Sequence, residues 1–270
     1  MSREPAGTLE QQKRCESLTI VYRLISTNFY SNNAMKNARI LLLLLFCIAS
    51  GQMVRAQKTV TYDLPAFTQI SLKSDAKLIL KQDSVQSVTV KAKEETINKL
   101  IVEVSNRKLI FRYPSNAWFD SKWTPGEVII TVSMPQIDEL AQSGSGSIVA
   151  EQPINTQILD LYVGGSGFIR LNKLKAERIT AIVSGSGHLQ LAGENVVSES
   201  KLTVSGSGGV KAPALKTKKV NVLLSGSGSC IVHALENLTC KIAGSGNVTY
   251  YGNPAIESTI VGSGLVKEGK

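Results

Sequence analysis

Aromatic residues make up only 6% of this 270-residue chain, which has two tryptophans, two histidines and four cysteines. A core must therefore be assembled from Val, Ile and Leu, which the 43% hydrophobic content allows. No Cys-x-x-Cys pair or Cys/His cluster offers ligands at metal-binding spacing. None of the glycine-rich stretches is followed by the Lys-Ser/Thr and helix of a phosphate loop, and Gly164–Arg170 ("GGSGFIR") lacks the third glycine of a dinucleotide fingerprint. Aromatic and basic residues are not interleaved, so nucleic-acid binding has no motif to rest on. His188 and His233 fall in different repeats and read as surface or edge residues, and Asp120, Asp138, Glu139 and Asp160 form no paired acid/base pattern. No catalytic residue, cofactor or metal ligand is expected.

One long apolar run is present. Met35–Arg39 supplies a positive start, Ile40–Ser50 ("ILLLLLFCIAS") is apolar, and Val54-Arg55-Ala56 places small residues at −3 and −1 of a cleavage site. This is the layout of a secretory signal peptide, and the run is short for a membrane span of about 20 residues. We read 35–56 as the signal peptide, 1–34 as a non-native or disordered extension, and the mature chain as free of integral spans. A lipoprotein signal acylated at Cys47 is rejected because Phe46 is not small. Residues 1–56 hold seven Lys/Arg and three Asp/Glu, so the net charge falls from +9 to +5 on cleavage. The Lys216, Lys218 and Lys219 cluster in the remainder reads as a solvated edge. Cys230 and Cys240 then remain, either as packed thiols or as a disulfide of an exported chain.

What the chain has in quantity is Gly-Ser-Gly. The glycine pairs are Gly144/Gly146, Gly165/Gly167, Gly185/Gly187, Gly206/Gly208, Gly226/Gly228, Gly244/Gly246 and Gly262/Gly264, at intervals of 21, 20, 21, 20, 18 and 18 residues. Intervals near twenty at a fixed motif mark a solenoid. Alternation runs up to each triplet through Val163, Val183, Val204, Leu224 and Ile242, and resumes beyond it through Ile169, Leu189, Val210, Cys230 and Val248. Counted through the triplet, both glycines keep the inward parity and the serine the outward one. The triplet is thus expected to be a corner, where a strand bending toward its own interior has no room for a Cβ. Residues 137–270 become stacked repeats of strand, corner, strand and variable loop. The loops are signalled at Gln152-Pro153, Ala192–Glu194, Ala212-Pro213 and Tyr251–Pro254. The serines should form a polar ladder along one edge.

Residues 57–136 hold short alternating strands, polar turns at Ser74-Asp75 and Asn106-Arg107, and one short helix over Glu94–Leu100. This region is expected to begin the same sheet system and cap one end of it. Trp118, Phe119 and Trp123, in a proline-flanked excursion, are either a ligand or partner contact or the lid of the apolar end.

"FTQISLKSDAKLILKQDSVQSVTVKAKE", then "LIVEVSNRKLIFRY" and serial "VSGSG" units, resembles the head GIN domain family from about Thr59 onward. That resemblance implies an all-β, right-handed parallel β-solenoid, β-helix-like and single-stranded. It also implies export in a Bacteroidetes-type cell and an inferred adhesion role. It carries over no site residues. The column after the triplet, small and polar in the family, departs from that pattern at Phe168, His188 and Leu265. The expected function is a non-enzymatic adhesin-like module binding glycan or protein at the cell envelope, in the periplasm, on the outer-membrane surface or outside the cell. A polysaccharide lyase or hydrolase, or a purely structural scaffold, are the alternatives.

Overall fold

Every triplet lies directly above the one before it. Gly144 pairs with Gly165, Gly165 with Gly185, Gly185 with Gly206, Gly206 with Gly226 and Gly226 with Gly244, all in parallel ladders. The computed structural model describes residues 57–114 and 123–270. These form a parallel β-solenoid of about 6 turns. The signal-peptide segment and Trp118 and Phe119 lie outside the described residues.

Two ladders run the length of the stack. Strands entering the corners (Glu139–Gly144, Ile158–Gly165, Arg178–Gly185 and their successors) form one. Strands leaving them (Ser147–Ala150, Phe168–Lys175, His188–Gly193 and onward) form the other. The inward positions, among them Leu140, Leu161, Ala181, Leu202 and Val222, are buried almost completely. A rung only about 4.8 Å tall has no interior of its own, so each aliphatic side chain is shielded by the rung above and below. The reading of Ala212-Pro213 as a loop fails: Gly209–Gly226 is continuous strand, with a register shift between Lys211 and Lys216 absorbing the irregularity. In this stretch the core also admits a polar pair, with the Ser200 and Thr217 hydroxyls 3.3 Å apart.

The triplets divide the work between their two glycines, which corrects the expectation that both are inward-facing corner residues. The first glycine makes the turn and is not inward. Gly144, Gly165, Gly185 and Gly262 are exposed, Gly206, Gly226 and Gly244 are half-exposed, and all seven have positive φ, from 81° at Gly165 to 125° at Gly244. The second glycine faces the core but does not turn the chain. Gly146, Gly167, Gly187, Gly208, Gly228, Gly246 and Gly264 are all buried, and none has a positive φ. What they supply is space. A Cβ on Gly208, Gly228, Gly246 or Gly264 would run into the carbonyl oxygen of Gly187, Gly208, Gly228 or Gly246 respectively, on the rung before. The first glycine thus provides a backbone conformation that L-residues resist, and the second lets one rung approach the next. The corner serines are all exposed, from Ser145 to Ser263.

The amino-terminal end is wound out of sequence order. Gln69–Lys73 pairs with both Lys108–Arg112 and Glu139–Gln142, and Lys77–Gln82 lies between Ile129–Met134 and Ser147–Val149. The rung 69–82 is therefore second in space, and the chain doubles back to lay the outermost rung before resuming. Ser74-Asp75, read from sequence as a plain turn, forms with Ala76 the corner beneath Gly144–Gly146. Antiparallel strands end the parallel stack: Ser87–Lys93 lies against Ile129–Ser133, Gln57–Tyr62 lies against Ser87–Lys93, and Ile101–Ser105 lies against Lys108–Arg112. The last two are joined by Asn106-Arg107, both at positive φ, the conformation of a tight hairpin. The short helix Glu94–Lys99 has Glu94 and Glu95 in its first turn and Lys99 in its last, matching its dipole.

The opposite end carries no such cover among the described residues. In the final rung, Ile256 and Ile260 keep the inward register yet are 44% and 39% exposed.

Candidate functional site

Side chains on the outer face of the second ladder are set by the same alternation that fills the core. The first position after each triplet aligns Lys77, Ser147, Phe168, His188, Gly209, Ser229, Asn247 and Leu265. Two residues on, Ile79, Val149, Arg170, Gln190, Lys211, Ile231, Thr249 and Lys267 align. In the first column Ser147, Ser229 and Asn247 are small. Phe168 and His188, side by side, are large, and Gly209 beside them has no side chain at all.

That unevenness makes a groove. It has a volume of about 350 Å³ and is lined by Ser166, Phe168, Arg170, Ser186, His188 and Gln190. Arg170 leans over the Phe168 ring, its guanidinium carbon 5.3 Å from the centroid. This contact uses little of the guanidinium's hydrogen-bonding capacity. Its Nε is buried without an acceptor. His188 and Gln190 stand exposed on the neighbouring rung, directly beside Phe168 and Arg170. The result is one aromatic face and several uncommitted polar groups along a shallow trough, the composition of a recognition surface.

The residues expected to make contacts are distributed differently. Trp123 is 9% exposed and belongs to the core cluster. It meets Tyr113 edge-on at 5.0 Å, and the Lys99 ammonium sits 4.7 Å from its ring centroid. The ring is thus largely enclosed, while Trp118 and Phe119, grouped with it in the sequence, lie outside the described residues. His188 and His233 are not brought together. His233 is half-buried, with its Nδ1 3.1 Å from the Pro213 carbonyl oxygen and its ring tilted against Tyr251. Lys218 reaches Glu236 at 3.9 Å, and Lys216, Lys218 and Lys219 are all exposed. Cys230 and Cys240 are buried free thiols, and burial pushes them up to about 12 and about 11. Of the carboxylates, Glu139 is held by Lys108 at 2.7 Å. Desolvation, then the charges of Asp160 and Glu139, raise the neighbouring Tyr162 phenol above its ordinary value.

Sequence reasoning passed over Phe168, Arg170 and Gln190 as site residues. The signal was there: two successive repeats break the small-polar rule one residue after the triplet. It becomes a site only when register sets those repeats side by side.

Solved structures show the same fold at low identity. A putative adhesin from Bacteroides fragilis superposes with a TM-score of 0.72 at 21% identity, covering 79% of this chain and 97% of its own. A putative lipid binding protein from Parabacteroides distasonis gives 0.63 at 22%, covering 79% and 97%. A putative adhesin from Parabacteroides merdae gives 0.61 at 20%, covering 79% and 96%. No curated protein matches the sequence. The family described as "Putative auto-transporter adhesin, head GIN domain" matches residues 66–254. The chain belongs to the head GIN domain family.

Proposed function

We propose that this chain is an exported, non-enzymatic adhesin-like protein that binds glycan or protein at the cell envelope through the outer face of its second ladder. Its route out is the Met35–Ala56 segment, and its destination is the periplasm, the outer-membrane surface or the exterior. The family description and the names of the solved relatives support an adhesive role. The observation that carries the reading is the groove itself. Phe168, Arg170, His188 and Gln190 project together from a stack whose hydrogen-bond register fixes their spacing before any ligand arrives. Surface-binding proteins of this kind need preorganised contact area rather than a reactive centre, and a solenoid provides it without loops.

The test is retention on immobilised glycans and on envelope extract, comparing the wild-type chain with the Phe168→Ser, Arg170→Ala double variant. Binding by the former and loss in the latter, at unchanged circular dichroism, is the expected result. Equal retention of both would remove the groove from the function, and no retention of either would remove the adhesive reading.

A further inference from the structure

We propose that the groove takes an acidic carbohydrate, with a uronate carboxylate on Arg170 and a sugar face against Phe168. This deepens the binding reading above and rests on it.

The first argument is charge. The two outward columns that frame the groove hold Lys77, Arg170, Lys211 and Lys267 from the rung of Lys77 to the last, and no Asp or Glu. The first carboxylate along the face is Glu151, beyond Val149 on the neighbouring strand. Arg170 makes no ion pair with it or with any other described residue. Elsewhere the solenoid pairs several of its surface cations, as in Lys108–Glu139, Arg112–Glu103 and Lys175–Glu194. An arginine left unpaired, partly desolvated and pinned over a ring is a ready partner for a planar carboxylate.

The second argument is shape and hydrogen bonding. The groove is shallow and open, unsuited to enclosing a small molecule, but the half-exposed Phe168 ring, with Arg170 over it, lines the groove and gives a sugar's apolar side a surface to pack against. Around that face stand Ser166, Ser186, His188 and Gln190, which between them donate and accept, as hydroxyl-rich ligands require. The corner serines continue beyond the groove at one per rung, roughly every 4.8 Å, so an extended chain lying along the stack meets a hydroxyl at each step. Lys211, in register with Gln190 on the next rung, gives a second acidic unit a counter-charge.

The experiment is isothermal titration of the full chain with size-defined oligogalacturonate, the neutral oligogalactan, a sulfated dextran and poly-glutamate. Oligogalacturonate is expected to bind best, and affinity to fall as salt rises. Arg170→Ala should weaken it roughly ten- to hundred-fold, Arg170→Lys less, and Lys241→Ala, exposed on the other ladder, hardly at all. An unchanged melting temperature in Arg170→Ala separates lost contact from lost fold. Sulfated dextran binding equally well would place the anion recognition in charge alone and overturn the uronate. Equal or better binding of poly-glutamate would overturn the carbohydrate. Equal affinity for the neutral oligogalactan would overturn the acidic class while leaving the adhesive reading intact. Failure of every probe, with retention on envelope extract still dependent on Phe168 and Arg170, would do the same.

Discussion

The carbonyl oxygen of Ser74 accepts the amide N–H of Gly146 at 3.1 Å, so a corner with no glycine is the bed on which the first glycine corner rests. Ala76 stands where every later rung has glycine, and its carbonyl accepts the Ser147 N–H at 3.0 Å. The reason for the difference lies beneath. A Cβ on Gly146 would meet the Ala76 carbonyl oxygen at 2.6 Å, while Ala76 has no Gly-Ser-Gly corner under it. Glycine is needed only where one corner sits upon another.

That asymmetry predicts unequal losses for the two reverse exchanges at stacked positions. Ala76→Gly should cost little, about 0.5–1 kcal/mol from backbone entropy. Gly146→Ala should cost more, on the order of 1–3 kcal/mol, because backbone atoms must give way. Urea unfolding midpoints at constant slope measure both, and equal losses would show that the two corners are equivalent.

Within one triplet the roles also separate. A Cβ on Gly187 would lie 2.5 Å from Val163 Cγ1 and 2.8 Å from the Gly167 carbonyl oxygen, whereas Ser186 is exposed. Gly187→Val should therefore lower the melting temperature by roughly 5 °C or more. Ser186→Val should stay within about 0.5 kcal/mol of wild type. Differential scanning calorimetry of the pair decides it.

Gln142 interrupts the aliphatic column formed by Val163, Val183 and Val204. It is 1% exposed, and neither atom of its carboxamide has a hydrogen-bond partner. Gln142→Met keeps the volume and removes the desolvated amide, so stability should rise by about 1–3 kcal/mol. A fall in the urea midpoint would show that the amide is satisfied in solution, by a bound water for instance.

Cys230 and Cys240 are closed off in adjacent layers of the core, and both thiols are raised from an ordinary value near 9.0, to about 12 and about 11. Burial disfavours the thiolate, so the native chain holds more protons than the unfolded one between these values. Their contribution is full below about pH 9 and is lost as pH rises through about 11 and 12. Stability should therefore decline across that alkaline window, more shallowly in Cys230→Ala, Cys240→Ala. Alkylation at about pH 8, where burial keeps both thiols protonated and covered, should leave them unmodified until urea is added, as peptide mass spectrometry would read. Rapid native labelling would mean that the core opens.

The rungs and corners are legible in the sequence because their causes are local. Alternation assigns faces residue by residue, and a triplet repeating every 18–21 residues marks where Cβ atoms are forbidden. Which glycine of the pair turns the backbone and which makes room was not legible, since counting parity assumes that the strand stays straight through the bend. Nor was the winding of the first rungs. Strands 69–73 and 139–144 are separated by a long excursion, and nothing in an alternating pattern names its parallel neighbour. The groove depended on the same missing information. Phe168 and Arg170 stand twenty residues before His188 and Gln190, and hydrogen-bond register alone sets the two pairs shoulder to shoulder. Side-chain period and backbone freedom belong to short stretches of chain, whereas pairing between distant strands is a property of the packed whole.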